Sequence, residues 1–336
     1  GRKTPMKAGK INNISALFRR ILSFYSNMRI AWKFTWTYFI ILALPIVGTG
    51  FFINHTTTKS FKHQSELLAR QGLLQKREVI NQKIENIEKT AISISQNSQI
   101  LKYLQDPYEN NYKGYENYIY FFAPTFESYI IQNKHIFGAM FYIDNLTFPS
   151  SWNNIHHLDA IEDEGELKAF LADGKTLQKW TAIHDTKIVR YSHASVKERV
   201  FSLFRKLIAL TEKKCIGMLE IEISEKELFE NLRANNDVNE YFFVFDEAGN
   251  IVSETAYKLV PEEYKTVIAS LLNDRQELNG IFEFNKEKLI ICTIPIDRIG
   301  CNLVGITPLE NYMGDSPNYP VIITIVIIVA LFIFGV

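Results

Sequence analysis

Three rhythms of apolar and polar positions run along this chain. Two stretches are uncharged throughout, "FTWTYFIILALPIVGTGFFI" (Phe34–Ile53) and "PVIITIVIIVALFIFGV" (Pro320–Val336). At about 1.5 Å per residue the first is long enough to cross a hydrocarbon core of about 30 Å, and the second reaches the lower edge of a span. A 4,3,4,3 spacing comes between them: Ile80, Ile84, Ile87, Ala91, Ile94, Ser98 and Leu101 share one seam. No Gly or Pro interrupts that stretch between Leu73 and Asp106, and Pro107 stops it. The spacing predicts a helix of about 45 residues that pairs with its twin, acts as a spine for the domains after it, or does both along different parts of its length.

Beyond Pro107 the period shortens to two. "FGAMFYIDNLTFPSS" (Phe137–Ser151) and "EYFFVFDEAGNIVSE" (Glu240–Glu254) each read as strand, turn, strand, turning at Asn145 and at Gly249–Asn250. "CIGMLEIEISEKELFENL" (Cys215–Leu232) and "CNLVGITPLENYMGD" (Cys301–Asp315) each read as a strand leaving into a helix. The matching order predicts two copies of one α+β module of unequal size. The second copy adds a helix over "PEEYKTVIASLLN" and a hairpin over "GIFEFNKEKLIICTIPI"; the first adds strands at "QKWTAI" and "VFSLFRKLIAL". The first also carries a long irregular excursion from Trp152 to Asp185. Antiparallel sheets with helices on one face are the expected package.

Charge changes this picture by its placement. The 37 basic and 37 acidic residues cancel, so bulk charge points to neither nucleic acid nor an acidic substrate. Residues 1–33 hold eight basic side chains, Arg2, Lys3, Lys7, Lys10, Arg19, Arg20, Arg29 and Lys33, and no acidic one. This flank predicts a cytoplasmic N-terminus, with residues 55–317 outside the membrane. It is too long for an ordinary signal peptide, although "GTG" at Gly48–Gly50 offers small residues at a processing site. Within it, "NISALFRRILSFY" has the spacing of a basic amphipathic helix on the inner leaflet. A start at Gly1 and an end inside an apolar run predict that both ends of a longer chain were cut.

Candidate chemistry is sparse. Of Cys215, Cys292 and Cys301, the first two fall in apolar strand-like runs and fit small buried hydrophobes, with a Cys292–Cys301 bridge left open. No phosphate-binding glycine loop, G-x-S-x-G elbow or H-E-x-x-H occurs, so no catalytic residue is assigned. In "HHLDAIEDEGE" the spacings of His156, His157, Asp159, Glu162, Asp163 and Glu164 match no ligand pattern, and no metal site is assigned. Trp152, Trp180, Arg190, Tyr191, His193 and Arg205 supply aromatic faces and polar groups of the kind a small-molecule pocket uses, sugars in particular. The alternative for Trp180 is the core. If Trp180 lines the pocket, Trp180→Ala weakens ligand response more than it lowers stability.

The basic N-terminus, the span containing "ALP", "QSELLARQGLLQKREVINQKIENIEK", the "FDEAGNIVSE" hairpin and the "LVGITPLENYM" exit together resemble the sensor half of YesM-type membrane sensor histidine kinases. The resemblance covers essentially the whole chain. It implies an α+β fold: a long N-terminal helix followed by two PAS-like (double Cache) antiparallel-sheet modules, flanked by two transmembrane helices. The expected divisions are 1–33 cytoplasmic, 34–54 first span, 55–106 long helix, 107–235 membrane-distal module, 236–317 membrane-proximal module and 318–336 second span. The resemblance also implies a homodimer in the cell membrane that binds a small ligand, a sugar or a sugar-loaded solute-binding protein. Signalling would pass to a cognate response regulator through a kinase domain beyond Val336, and ATP and Mg would belong there. The chain lacks the Tyr/Arg/Trp/Asp signature by which some double Cache domains hold amino acids. Chemoreceptors, diguanylate cyclases and membrane-bound AraC-type regulators carry the same kind of sensor and are the alternative outputs. An anchored extracytoplasmic enzyme would need convergent acid, base or metal groups, and none can be assembled.

Overall fold

The structure is a computed structural model and describes residues 29–108, 111–148, 151–152, 154–161, 165–186, 198–209, 214–232, 240–253, 260–265, 268, 279–313 and 322–329. The expected basic amphipathic helix before residue 29 lies outside them. The chain divides into two compact units, 1–64 with 313–336, and 65–312.

The apolar run and the seam belong to one helix, α1 (Ile30–Ser95). Among the described residues it is the one helix long and apolar enough to cross a membrane. In the first unit its large apolar side chains, among them Leu44, Phe51 and Phe52, are exposed, as are Ile323 and Val326 in the helical residues 322–329. Glycine is required at position 50, where a Cβ would lie 2.2 Å from Thr324 Oγ1.

In the second unit Ile80, Ile84, Ile87, Ala91 and Ile94 are fully buried within a single copy of the chain. The seam is therefore a spine, and its apolar face is consumed internally. The helix does not run on to residue 106 as the spacing predicted. It ends at Ser95, and Asn97 turns its side chain back to accept hydrogen bonds from the backbone N–H groups of Gln99 and Ile100. Asparagine competes with a continuing helix for backbone donors in this way, so it starts a new one, α2 (Ser98–Gln105). Then come α3 (Asn111–Asn117), a π-helical turn (Tyr118–Phe122) and α4 (Ala123–Gln132). They dock through Phe122 and Phe126, whose rings meet Phe141 at 5.4 and 5.1 Å between centroids.

Seven strands form the first sheet: β1 (Ile136–Ile143), β2 (Ser151–Trp152), β3 (Ile155–His157), β4 (Gln178–Trp180), β5 (His184–Asp185), β6 (Arg199–Ile208) and β7 (Cys215–Ser224). Their order is β2-β3-β1-β7-β6-β4, with β5 also on β6. The hairpin expected over Phe137–Ser151 does not form. Strand β1 pairs antiparallel with β7 and parallel with β3, and β2 pairs only with β3. The reason lies at Asn145, whose side-chain amide donates to the carbonyls of Leu104 and Asp106 and ties the turn to the end of α2. Nor is the stretch from Trp152 to Asp185 irregular, since it contains β3, α5 (Gly165–Ala172), β4 and β5.

The second sheet has β8 (Tyr241–Asp246), β9 (Gly280–Phe284), β10 (Glu287–Ile296) and β11 (Cys301–Pro308) in the order β8-β11-β10-β9. Both hairpins expected here are present. The turn of β9–β10 places Asn285 and Lys286 at positive φ, and Phe245 bridges to Ile251 around Asp246. Both strand-to-helix exits are also present but short, as α6 (Glu225–Leu228) after β7 and α7 (Glu310–Met313) after β11. Of the predicted helix over "PEEYKTVIASLLN", residues 262–265 and 268 are described and are helical.

The register excludes a Cys292–Cys301 bridge. Cys292 faces Gly305 and Cys301 faces Ile296, four ladder positions apart, or about 13 Å along the strands. Bridged cysteines need Cα atoms about 4.4–6.8 Å apart. All three cysteines are free, and burial pushes the Cys292 thiol up to about 11 and the Cys301 thiol up to about 12.

Candidate functional site

Alternation along β6 and β7 gives the first sheet two unlike faces. Phe201, Leu203, Leu219, Ile221 and Ile223 point to one side together with Arg205, whose guanidinium reaches Ser95 of α1; this is the helix face. Ser202, Phe204, Met218, Glu220 and Glu222 point to the other. At one end of that second face Phe204 and Met218 pack against Leu167 and Phe170 of α5. Most of the rest of it is polar, with Val200 and Met140 among the polar side chains.

Two carboxylates stand there two residues apart on a central strand, Glu220 at 4% exposure and Glu222 at 0%. Burying a carboxylate costs several kcal/mol unless donors meet it. Donors come from three strands or their flanks. Tyr142 of β1 gives its phenol proton to Glu220 Oε2 at 2.9 Å, and Ser202 of β6 gives its hydroxyl proton to Oε1 at 2.6 Å. Thr186, just after β5, donates to Glu222 Oε2 at 2.6 Å. Ser202 Oγ also lies 3.0 Å from Nε2 of His184, whose Nδ1 lies 3.0 Å from the Asp185 carbonyl oxygen. The Ser202 N–H points at Thr181 Oγ1, and the Thr181 N–H donates to the Ser202 carbonyl.

The neighbouring strands fix this geometry. Gly217 sits at φ +154° where a Cβ would be 2.1 Å from the Tyr142 carbonyl oxygen, so only glycine lets β7 approach β1 this closely beside Tyr142. His156 of β3 lies with its ring 6.0 Å from that of Tyr142. Burial, and then the charge of His157, lower the His156 pKa below the usual imidazole value. On this face carboxylate oxygens and hydroxyls are buried and held in place by one another. Chemically, such a floor accepts hydrogen bonds from a ligand rich in O–H or N–H groups.

Two of the six residues proposed from sequence, Trp180 and Arg205, are placed on the opposite, helix face. The Trp180 indole N–H donates to Glu88 Oε1 of α1 at 2.9 Å. Arg205 donates from Nε to Ser95 at 2.7 Å and from Nη1 to Gln178 at 2.8 Å; burial lowers its pKa while Glu88 opposes the shift. Trp152 lies in β2 at the sheet edge. Arg190, Tyr191 and His193 lie outside the described residues. The polar face was missed, although it leaves a mark: in "CIGMLEIEIS" two glutamates interrupt an otherwise apolar strand at i and i+2, which puts both on one face of a buried strand.

The second sheet borders a small cavity. Between Gly72 and Leu73 of α1 and Phe242, Gly305, Thr307 and Tyr312 lies a cavity with about 20 Å³ open to the centre of a water. That is room for one water and for neither a sugar nor an amino acid. The Tyr312 phenol is pushed up to about 12 by burial and by the charge of Glu240, to which it donates.

No family model and no curated protein matches the chain. Among solved structures, the extracellular domain of the putative histidine kinase vpHK1S-Z8 matches at 12% identity and TM-score 0.50, over 76% of this chain and 95% of that one. A domain of a putative sensory box/GGDEF family protein from Vibrio parahaemolyticus matches at 11% identity and TM-score 0.49, over 76% and 99%. The ligand-binding domain of the Pseudomonas fluorescens chemoreceptor CtaA, solved with L-leucine, matches at 9% identity and TM-score 0.48, over 76% and 100%. At such identities the first match speaks for the fold alone. The α+β architecture of this chain is similar to that of this extracellular domain.

Proposed function

We propose that this chain is the extracytoplasmic sensing and transmembrane signalling region of a membrane receptor, and that its small-molecule ligand sits on the polar face of the first sheet. The observation that carries this reading is the pair Glu220 and Glu222, buried on a central strand and ringed by Tyr142, Ser202, Thr186 and His184. Buried carboxylates stabilise a fold poorly compared with apolar residues of the same size, so a polar face of this kind is better explained by recognition than by folding. The ligand class is carbohydrate: sugar hydroxyls are donors suited to carboxylate floors, and the Tyr142 ring offers a face to stack on. The apolar run in α1 anchors the domain to a membrane, and the run ending at Val336 is the second pass, with residues 55–317 outside. By its resemblance to YesM-type receptors, the output is a histidine kinase acting as a homodimer on a response regulator.

Calorimetric titration of the full chain in lipid nanodiscs with a panel of mono- and disaccharides and the common amino acids tests the reading. Saturable binding of a sugar that Glu220→Gln and Ser202→Ala abolish is the expected result. Binding of an amino acid with the same sensitivity keeps the site and replaces the ligand class. Binding untouched by either substitution removes the site.

A further inference from the structure

The polar face and the helix face are the two sides of one short strand segment, 178–186. On one side it sends Thr181, His184 and Thr186 to Ser202 and Glu222. On the other it sends the Trp180 indole to Glu88 of α1. Glu88 is not finished by that bond. Its second oxygen, Oε2, accepts from Nη1 of Arg298 at 2.8 Å, and the Glu88 side chain is 15% exposed. Arg298 belongs to the 3-10 turn Asp297–Ile299 that joins β10 to β11 in the second sheet, closed by Gly300 in the left-handed conformation. One carboxylate on the spine thus holds a donor from each sheet, and the donors come from positions 180 and 298.

We propose that Glu88 is the positioning residue that couples occupancy of the polar face to the turn 297–300 of the second sheet, through the path His184–Trp180–Glu88–Arg298. The inference rests on the reading of the polar face as the ligand site. Three features favour this path. Among the described residues, strands β4 and β5 pair only with β6, over three and two residues, so within that set they are the part of the sheet that a ligand displaces most cheaply. Glu88 offers each partner a different oxygen, so a pull on the indole reorients the carboxylate that Arg298 holds. Arg205 feels the charge of Glu88, but its hydrogen bonds go to Ser95 and Gln178, so it steadies the surroundings of the carboxylate while Trp180 and Arg298 hold its two oxygens.

The test needs no ligand. His184→Ala in the full chain in nanodiscs perturbs the polar face, and amide hydrogen exchange reads the turn 297–300. In the parent background the expected result is a rise in exchange there of about 3- to 30-fold. Two further backgrounds each cut one arm of the bridge: Trp180→Phe keeps the ring and removes its donor, and Glu88→Gln keeps one acceptor and removes the charge that holds Arg298. In both, His184→Ala is expected to add nothing at the turn while still raising exchange at Ser202. The same rise in all three backgrounds overturns the role of Glu88, and no rise in the parent overturns the path. A sugar titration of His184→Ala and the parent separates the two claims. Sugar affinity lost with exchange at the turn unchanged leaves the ligand site standing and the coupling refuted. Altered exchange at the turn with sugar affinity unchanged keeps the coupling and takes His184 out of the ligand site.

Discussion

The two sheets share one spine and treat their far faces in opposite ways. Away from α1, the second sheet turns Phe243, Leu289, Ile291, Val304 and Ile306 into a closed apolar cluster completed by Val260, Tyr264 and Ile268. The first sheet covers only one end of its far face that way, with Leu167, Phe170, Phe204 and Met218, and gives the rest to Glu220, Glu222, Ser202 and Tyr142. Apolar burial contributes about 25 cal/mol per Å², whereas a buried carboxylate must first recover its desolvation cost. A sheet whose far face is apolar is built to be stable, and under the proposed function the one that spends the same face on acids serves recognition.

Substitutions sharpen this contrast, beginning with the largest effect. Phe243→Ala, in a side chain 1% exposed within the closed cluster, is expected to cost about 3–5 kcal/mol in chemical unfolding while leaving ligand affinity intact. A cost below about 1 kcal/mol would mean that the second sheet's far face is looser than the cluster implies. Ser202→Ala leaves both Glu220 Oε1 and His184 Nε2 short of a partner, so about 1–3 kcal/mol of stability goes along with ligand binding. Loss of stability without loss of binding would make the polar face a structural network.

Acid is a gentler probe. The folded-state pKa of His156 lies below its unfolded value, so the unfolded chain binds the proton more readily between the two. Its contribution to stability is present above the unfolded value of about 6.5 and is lost as pH falls from there through the lower folded-state pKa. His156→Gln should flatten the fall in stability between about pH 7 and pH 5, and an unchanged slope in that variant would assign the proton elsewhere. The smallest effect concerns thiols: at pH 8, iodoacetamide should label half-buried Cys215 well before Cys292 and Cys301, with no mass deficit of a disulfide.

How far the sequence revealed these two faces depends on periodicity. The seam Ile80–Ile94 was readable because a buried helix face repeats every 3.5 residues, but periodicity is silent about whether the covering surface belongs to a twin or to the same chain. The β9–β10 hairpin was readable because its turn is local, while the failure at Phe137–Ser151 came from Asn145 bonding two carbonyls about forty positions earlier. Trp180 and Arg205 stood out by residue type, yet the face each takes depends on the register of β4 against β6 and of β6 against β7, which no local pattern specifies. Glu220 and Glu222 were visible as two acids in an apolar strand; their meaning needed Tyr142 from 78 positions away and Ser202 from 18.

The central claim is that ligand recognition belongs to the first sheet's far face and not to the second sheet. Hydrogen exchange of the full chain with and without the tightest-binding sugar or amino acid from the titration panel tests it most directly. The account predicts protection concentrated at residues 181–186, at Ser202 and at Glu220–Glu222, with Phe242, Gly305 and Thr307 unprotected by direct contact. Protection centred on the small cavity beside Gly72 and Gly305, with the polar face unchanged, would contradict it.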